Sequence, residues 1–217
     1  ALQVSRAPFL NVPNPLNAFA SAGETALQRL RQHYWHIIED QIPAIADKVF
    51  VDKMPLNSML MGFIPRLFPN ANIIFAVRDP RDVVFSCFRR RFGMTDAMHE
   101  FCTLESSVRF YHEVMQLAQL YRASTTTPII DIRYDDVVGN FRQSLMQLCQ
   151  FTGLQWREDM LQFAERARRA PLNTVSASQL AKGLFDGTGT WRRYRLFLEP
   201  YLPKLAPWVA RFGYPPN

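Results

Sequence analysis

Residues 73–92 read IIFAVRDPRDVVFSCFRRRF, and this stretch is the most informative part of the sequence. Its first five residues form a continuous apolar run, which predicts a strand buried on both faces of a parallel sheet. Asp79 then provides an N-cap, Pro80 suits a first helical turn, and the apolar spacing predicts a helix over 81–92. Arg78 therefore stands at the carboxyl end of a strand, where open α/β sheets place their ligands.

The segments on either side repeat this alternation of strand and helix. Two further short apolar runs, 48–51 and 128–133, predict strands of the same sheet. Helical spacing predicts helices over 24–47, with a kink or stop at Pro43, and over 56–67, 103–121, 140–152 and 157–169, followed by a basic, aromatic C-terminal segment over 191–214. Strands that alternate with helices indicate a right-handed, doubly wound α/β domain.

Length and composition limit the class of protein. The chain has 217 residues, of which 48% are hydrophobic, so we expect a single domain over 1–217 with one sizeable core. No apolar run reaches the roughly 18 residues of a membrane span. Three cysteines without a CxxC pair argue against a disulfide scaffold or a zinc site and indicate a reducing, cytoplasmic compartment.

The polar residues that follow the first strand form a stripe with excess positive charge. Asp82, Ser86 and Arg90 recur every four residues along the predicted helix, and Arg78 precedes its first turn. Guanidinium groups bind phosphate bidentately and a serine hydroxyl adds a neutral donor, so the stripe and Arg78 are suited to one anion. Spacing alone supports equally well a solvated basic face in which Asp79 and Asp82 pair with arginines. The net charge of +6 favours an anionic partner without identifying it.

An arginine at a strand end and a serine eight residues later resemble the 3′-phosphate motif of sulfotransferases that use 3′-phosphoadenosine 5′-phosphosulfate. The similarity is greatest to bacterial sulfotransferases that are often fused to tetratricopeptide repeats, and to protein-tyrosine sulfotransferases. It extends from about residue 49 onward. Further similar segments are VDKMPLN (51–57), IRYDDVV (132–138), FTGL (151–154) and WRRYRLFLEPYLPKL (191–205).

The resemblance implies a fold and an activity. The fold is a three-layer α/β domain of the P-loop NTPase-like sulfotransferase type, with a parallel sheet and a helical C-terminal part. The activity is transfer of a sulfuryl group from 3′-phosphoadenosine 5′-phosphosulfate to an acceptor hydroxyl, on a peptide tyrosine or a carbohydrate, without a metal. The resemblance also implies upstream tetratricopeptide repeats as a possible partner domain. It implies no nucleic-acid partner.

The resemblance also assigns residues to the donor nucleotide. Arg78, Ser86 and Arg90 match positions that bind its 3′-phosphate. Tyr134 matches a strand-end tyrosine that packs near the adenosine or contacts the 3′-phosphate, and Lys182 offers further positive charge beside the phosphates. A structural role in the core is an equally good interpretation of Tyr134.

Two residues match positions near the reacting group. Lys53 follows a strand end, where a lysine of the family contacts the sulfuryl group or the bridging oxygen, so it is assigned a catalytic role. Ser176 belongs to a Ser-x-x-Gln pattern in a late loop, and the resemblance assigns it both catalysis and cofactor binding. A surface lysine and a turn serine are the plain alternatives.

The chain departs from the family pattern in three places. Ala181 and Thr190 stand where the family has basic residues. The chain also has no Pro-x-Ser-Gly-Thr-Thr sequence, which in the family cradles the 5′-phosphosulfate. We therefore expect the first strand, this loop and the catalytic base to lie upstream of Ala1. The 217 residues alone are then expected to be inactive and prone to aggregation.

Two other functions compete with this interpretation. A nucleotide kinase or NTPase relative shares the topology, but the chain has no GxxxxGK[ST] sequence. A non-catalytic module that binds nucleotide or nucleic acid fits the basic charge, but no nucleic-acid motif is recognisable. His33 and His36 are spaced for one helix face without a third ligand, so we expect no metal site.

Overall fold

The structure is a computed structural model that describes residues 12–42, 48–90, 92–93, 95–169 and 182–216. Its strands are β1 (Ile73–Val77) and β2 (Ile129–Arg133). Its α-helices are α1 (Pro15–Ala20), α2 (Glu24–Gln41), α3 (Ile64–Leu67), α4 (Pro80–Arg89), α5 (Asp96–His99), α6 (Leu104–Ser124), α7 (Tyr134–Gly139), α8 (Phe141–Thr152), α9 (Phe163–Arg169), α10 (Arg195–Leu198) and α11 (Leu202–Arg211). Short 3₁₀ segments are Pro55–Leu60, Glu158–Gln162, Thr190–Tyr194 and Glu199–Tyr201.

Strands β1 and β2 pair in a small parallel sheet, which is two-stranded in the described part of the chain. The prediction of a third strand over 48–51 is wrong: no described strand pairs with this segment, and the side chain of Val51 is 68% exposed. The prediction that β1 is buried on both faces is also wrong. Phe75 and Val77 are buried, whereas Ile74 and Ala76 are exposed. Strand β1 therefore has only one face in contact with the core.

The helices that the sequence predicts are mostly present, with two differences in extent. The segment 56–67 is divided into the 3₁₀ segment Pro55–Leu60 and the short helix α3. Gly62 lies between them against the ring of Tyr121, which a Cβ atom at Gly62 would approach to 2.5 Å. Helix α4 ends at Arg89 rather than at residue 92, because Arg90 takes an extended backbone conformation with ψ 141°.

The described residues divide into two compact units, one made of residues up to Ile73 with Val114–Pro128, and the other of Ile74–Glu113 with residues from Ile129 onward. The core of the first unit contains Phe19, Leu27, Leu30, Tyr34, Ile38, Leu60 and Leu67. The side chains of two arginines link helices α1, α2 and α3 of this unit. Arg31 donates to the carbonyl of Leu67, and Arg66 donates to the carbonyls of Phe19, Ala20 and Ala22. These bonds satisfy carbonyl groups that helix ends leave without partners.

The second unit has two adjoining core clusters, each of which includes residues of α4. Val84 packs with Val108 and Leu205. Phe85 packs with Trp191 and Leu198. Helix α4 is therefore held on its apolar face by residues that lie far from it in the sequence. Among the described helices, none combines the length and apolar character that crossing a membrane requires.

Candidate functional site

The second unit contains a cavity of about 450 Å³ on the polar side of α4. Its walls come from the end of β1, from α4, from the start of α7 and from the segment 183–190. The residues that line it are Arg78, Asp82, Phe85, Ser86, Arg89, Arg90, Tyr134, Phe163, Gly183, Leu184, Phe185 and Thr190. The cavity thus brings together four residues to which the sequence assigned cofactor binding: Arg78, Ser86, Arg90 and Tyr134.

Arg78 follows β1 directly and is half-buried in this cavity. One Nη2 hydrogen bond, of 2.5 Å, goes to the carbonyl oxygen of Gly187, and the guanidinium lies 4.7 Å from the ring centroid of Tyr134. The Arg78 Nε atom is buried and has no hydrogen-bond partner among the described residues. A buried N–H without an acceptor is costly, so this guanidinium has hydrogen-bonding capacity that the described residues do not use.

Ser86 and Arg90 also line the cavity, Ser86 from within helix α4 and Arg90 from the position just after its end. Ser86 is half-buried on α4, and within the described residues its hydroxyl makes no hydrogen bond. The prediction that Arg90 continues the helical stripe is wrong, because α4 has ended before it. Its side chain nevertheless reaches the cavity and forms no ion pair within the part of the chain that the structure describes.

Tyr134 begins α7, one residue after β2. Its hydroxyl donates to the carbonyl of Phe185 and accepts the backbone N–H of Gly187 at 3.2 Å. The ring lines the cavity while the hydroxyl holds the segment that forms another wall. Thr190, which stands where the family has a basic residue, donates from its hydroxyl to the Gly187 carbonyl at 2.9 Å.

Asp82 does not lie on a solvated face, which was one of the two interpretations of the polar stripe. Its side chain is buried, and its carboxylate accepts the backbone N–H groups of Gly189 and Trp191, each at 2.8 Å. Nη2 of Arg78 lies 3.9 Å from its Oδ2 atom. Burial raises the pKa of Asp82, while the two N–H groups and Arg78 oppose this shift.

Asp79 and Arg81 form a structural ion pair. One of the two interpretations of the sequence proposed such a pairing for Asp79. Both side chains are almost fully buried. The Asp79 carboxylate accepts Nε of Arg81 at 2.9 Å and Nη2 at 2.8 Å, and it also accepts the Arg81 backbone N–H as an N-cap. Arg81 is therefore fully engaged and is not among the residues that line the cavity.

Cys87 follows Ser86 on α4. Its thiol is not suited to act as a nucleophile. Burial raises the pKa of its thiol to about 11, although the charges of Arg90 and Arg78 oppose the shift. At neutral pH the thiol is therefore almost entirely protonated, and it is the thiolate that acts as a nucleophile. Among the described residues, no group of three or more His, Cys, Asp or Glu side chains is placed to hold a metal ion.

The remaining predicted site residues lie outside this cavity or outside the described residues. Lys53 belongs to the first unit, where its side chain is exposed just before the 3₁₀ segment at residue 55. Lys182 is exposed beside Gly183 and is not one of the described residues that line the cavity. Ser176 lies outside the described residues. The roles of these three residues stay predictions.

Sequence reasoning missed several residues of the cavity wall. Phe163, Phe185 and Arg89 line it, and Gly187 supports it through its carbonyl. A Cβ atom at Gly187 would lie 2.8 Å from the Phe185 ring and 3.0 Å from Nη2 of Arg78, so a larger residue there would have to displace these two side chains. The sequence DGTGTW at 186–191, with two glycines among polar residues, is the signal that indicates a tight turn there.

Comparisons with known proteins give matches over much of the chain. The model of a family described as "Sulfotransferase family" matches residues 4–158. An uncharacterized protein of Aquifex aeolicus (strain VF5) is 26% identical over 157 residues, which are 70% of this chain and 20% of that protein. A Caenorhabditis briggsae protein, "Putative protein-tyrosine sulfotransferase", is 24% identical over 172 residues, which are 75% of this chain and 59% of that protein.

Among solved structures, the sulfotransferase domain from the curacin biosynthetic pathway is similar with a TM-score of 0.49 and 20% identity. The match covers 91% of this chain and 78% of that domain. The chain spans about a fifth of the length of the Aquifex relative and about three fifths of the Caenorhabditis relative.

Proposed function

Because this chain belongs to the sulfotransferase family, we propose that it serves the transfer of a sulfuryl group from 3′-phosphoadenosine 5′-phosphosulfate to an acceptor hydroxyl. The acceptor is a peptide tyrosine or a carbohydrate. The tyrosine alternative is supported by the name of the Caenorhabditis relative.

One observation supports the donor above all: three residues that line the same cavity have unused hydrogen-bonding capacity. The unused groups are the Nε of Arg78, the hydroxyl of Ser86 and the guanidinium of Arg90. Guanidinium groups match the geometry of phosphate oxygens, and a hydroxyl adds a neutral donor. A volume of about 450 Å³ lies within the range of small-molecule sites. These residues therefore fit the 3′-phosphate of the donor nucleotide.

The proposed chemistry is an in-line displacement. The acceptor oxygen forms a bond to sulfur and gives its proton to a general base, while the bond from sulfur to the bridging oxygen breaks and the nucleotide bisphosphate leaves with the electron pair. The contribution of the cavity is positioning, since Arg78, Ser86 and Arg90 fix the far end of the nucleotide. Lys53 is proposed to stabilise charge on the leaving group, and Ser176 to lie near the reacting centre.

A panel of ligands tests the proposed donor. We expect the chain to bind 3′-phosphoadenosine 5′-phosphate at least tenfold more tightly than adenosine 5′-phosphate, because only the bisphosphate engages the cavity arginines, each worth about 1.5 kcal/mol or more. The measurement is calorimetric titration at fixed salt. Stronger binding of ATP than of the bisphosphate favours the kinase alternative. Salt-dependent binding of unrelated oligonucleotides favours the binding module.

Transfer itself is expected to be absent for these 217 residues alone. The chain contains no Pro-x-Ser-Gly-Thr-Thr sequence to surround the 5′-phosphosulfate, and stabilisation of developing charge at the reacting group is usually the largest catalytic term. A radiolabelled sulfate transfer assay with tyrosine peptides and sugars measures this. Turnover by the 217 residues would show that a group within them performs the role of that loop.

A further inference from the structure

The buried carboxylate of Asp82 joins α4 to a distant segment of the chain. The side chain is 3% exposed, and its two oxygens accept the N–H groups of Gly189 and Trp191 separately, each at 2.8 Å. Gly189 has φ +62°, a left-handed conformation in which a Cβ atom would lie 2.2 Å from the Arg192 guanidinium. Backbone amides around such a residue form an anion-binding concavity, and in this protein its anion is Asp82.

The segment that Asp82 holds is also a wall of the cavity. Gly183, Leu184, Phe185 and Thr190 line the cavity from residues 183–190. Within it, the carbonyl of Gly187 accepts the Nη2 hydrogen bond of Arg78 at 2.5 Å. Asp82 thus holds one end of this segment, while the Tyr134 hydroxyl accepts the Gly187 N–H and the Thr190 hydroxyl donates to the same Gly187 carbonyl that Arg78 contacts.

The location of this carboxylate is unfavourable by itself. Its burial raises the pKa of Asp82, because removing the charge from water penalises the ionised form. The guanidinium of Arg78 lies at 3.9 Å, too far for a direct hydrogen bond. The backbone groups of Gly189 and Trp191 are thus its main partners, and residues that break local rules in this way are typical of functional sites.

We propose that Asp82 is a positioning residue: it holds the segment 183–191 against the cavity and, through the Gly187 carbonyl, sets the orientation of Arg78 toward a bound phosphate. The part that concerns the phosphate rests on the proposed function. The part that concerns the segment rests on the hydrogen bonds alone.

Asp82→Asn tests the proposal, because it keeps the size of the side chain while leaving one oxygen for the two amides. We expect hydrogen exchange to accelerate about tenfold in a peptide that covers 183–191 and to stay unchanged in a peptide that covers 104–113. In the protein that keeps Arg78, Asp82→Asn should weaken binding of 3′-phosphoadenosine 5′-phosphate about tenfold. In the Arg78→Ala variant, adding Asp82→Asn should weaken this binding by less than about twofold. Non-additivity of this kind is expected only if Asp82 acts through Arg78.

The matched control is Asp186→Asn, the same substitution at an exposed carboxylate of the same segment. Asp186 accepts the N–H of Thr188, which an asparagine oxygen also accepts, so hydrogen exchange in 183–191 should not change by more than about twofold. Should Asp82→Asn not fold, Asp82→Ser, which retains one oxygen, replaces it in both measurements.

Two results overturn the proposal. Exchange that is unchanged in 183–191, or accelerated equally in 104–113, shows that Asp82 does not hold this segment specifically. Additive effects of Asp82→Asn and Arg78→Ala on binding show that Asp82 acts on stability rather than on Arg78. If the unmutated chain does not bind the bisphosphate, the proposed function fails, and the exchange measurement still decides whether Asp82 holds the segment.

Discussion

Replacing Asp79 with asparagine is expected to lower the free energy of unfolding by about 3–5 kcal/mol, because it leaves the charge of Arg81 buried without a counter-ion. The Arg81 side chain is 1% exposed, and Asp79 provides the carboxylate that pairs with it. The other partners of Arg81 are neutral: the carbonyls of Pro215 and Pro216, and the Trp191 ring, whose centroid lies 4.1 Å away. Urea unfolding followed by circular dichroism measures the loss.

Two further variants separate the lost charge from other effects. Asparagine still accepts the Arg81 backbone N–H as an N-cap, whereas Asp79→Ala removes the cap as well and should cost roughly 1 kcal/mol more. Glu158→Gln breaks an ion pair with Arg142 in which both side chains are more than half exposed, so its urea midpoint should match that of the unmutated chain. An Asp79→Asn midpoint that is equally unshifted would contradict this account of Arg81.

Replacing Arg78 with alanine is expected to weaken binding of 3′-phosphoadenosine 5′-phosphate by roughly 10- to 150-fold. This range corresponds to about 1.5–3 kcal/mol for hydrogen bonds to a charged group. The substitution removes the buried Nε atom that has no described partner, and with it the Nη2 bond to the Gly187 carbonyl. Calorimetric titration of both proteins with the bisphosphate and with adenosine 5′-phosphate gives the two affinities to compare.

The control for charge is Lys204→Ala, which removes one positive charge from an exposed position on α11. It is expected to leave the affinity within about twofold, since exposed charges at a distance are screened by salt. Arg78→Lys keeps the charge without the planar fork and should fall between the unmutated chain and Arg78→Ala. Equal weakening by Arg78→Ala and Lys204→Ala would show that overall charge, and not this cavity, binds the nucleotide.

The fold prediction is accurate where an element depends on neighbouring residues and fails where it depends on residues distant in the sequence. Helix α8 was predicted over 140–152 and is present, with Asn140 as its cap and Gly153 in a left-handed conformation at its end. These signals act within a few residues. The strand predicted over 48–51 failed because a strand depends on hydrogen bonds to a neighbouring strand, and an apolar run such as Val49 to Val51 does not contain its partner.

The candidate site was predictable to a similar degree. The separation of Arg78 and Ser86 was sufficient to place both at one cavity, because β1 and α4 are regular over that interval. Arg90 lines the cavity although it lies beyond the end of α4, so the helical spacing does not explain its place there. The partners of Tyr134, which are backbone groups of Phe185 and Gly187, had no signal in its neighbourhood.

Local sequence is sufficient to specify the structure around the start of α4, where Asp79 caps the helix, Pro80 begins its first turn and Arg78 stands at the strand end. The role of Asp82, by contrast, depends on contacts with distant segments. Its partners, Gly189 and Trp191, lie 107 and 109 residues further along the chain. A helix position three residues after a cap is exposed or buried according to what packs on it, and that is determined by contacts between distant segments. Local propensity acts over a few residues, so it has no means of specifying such a contact.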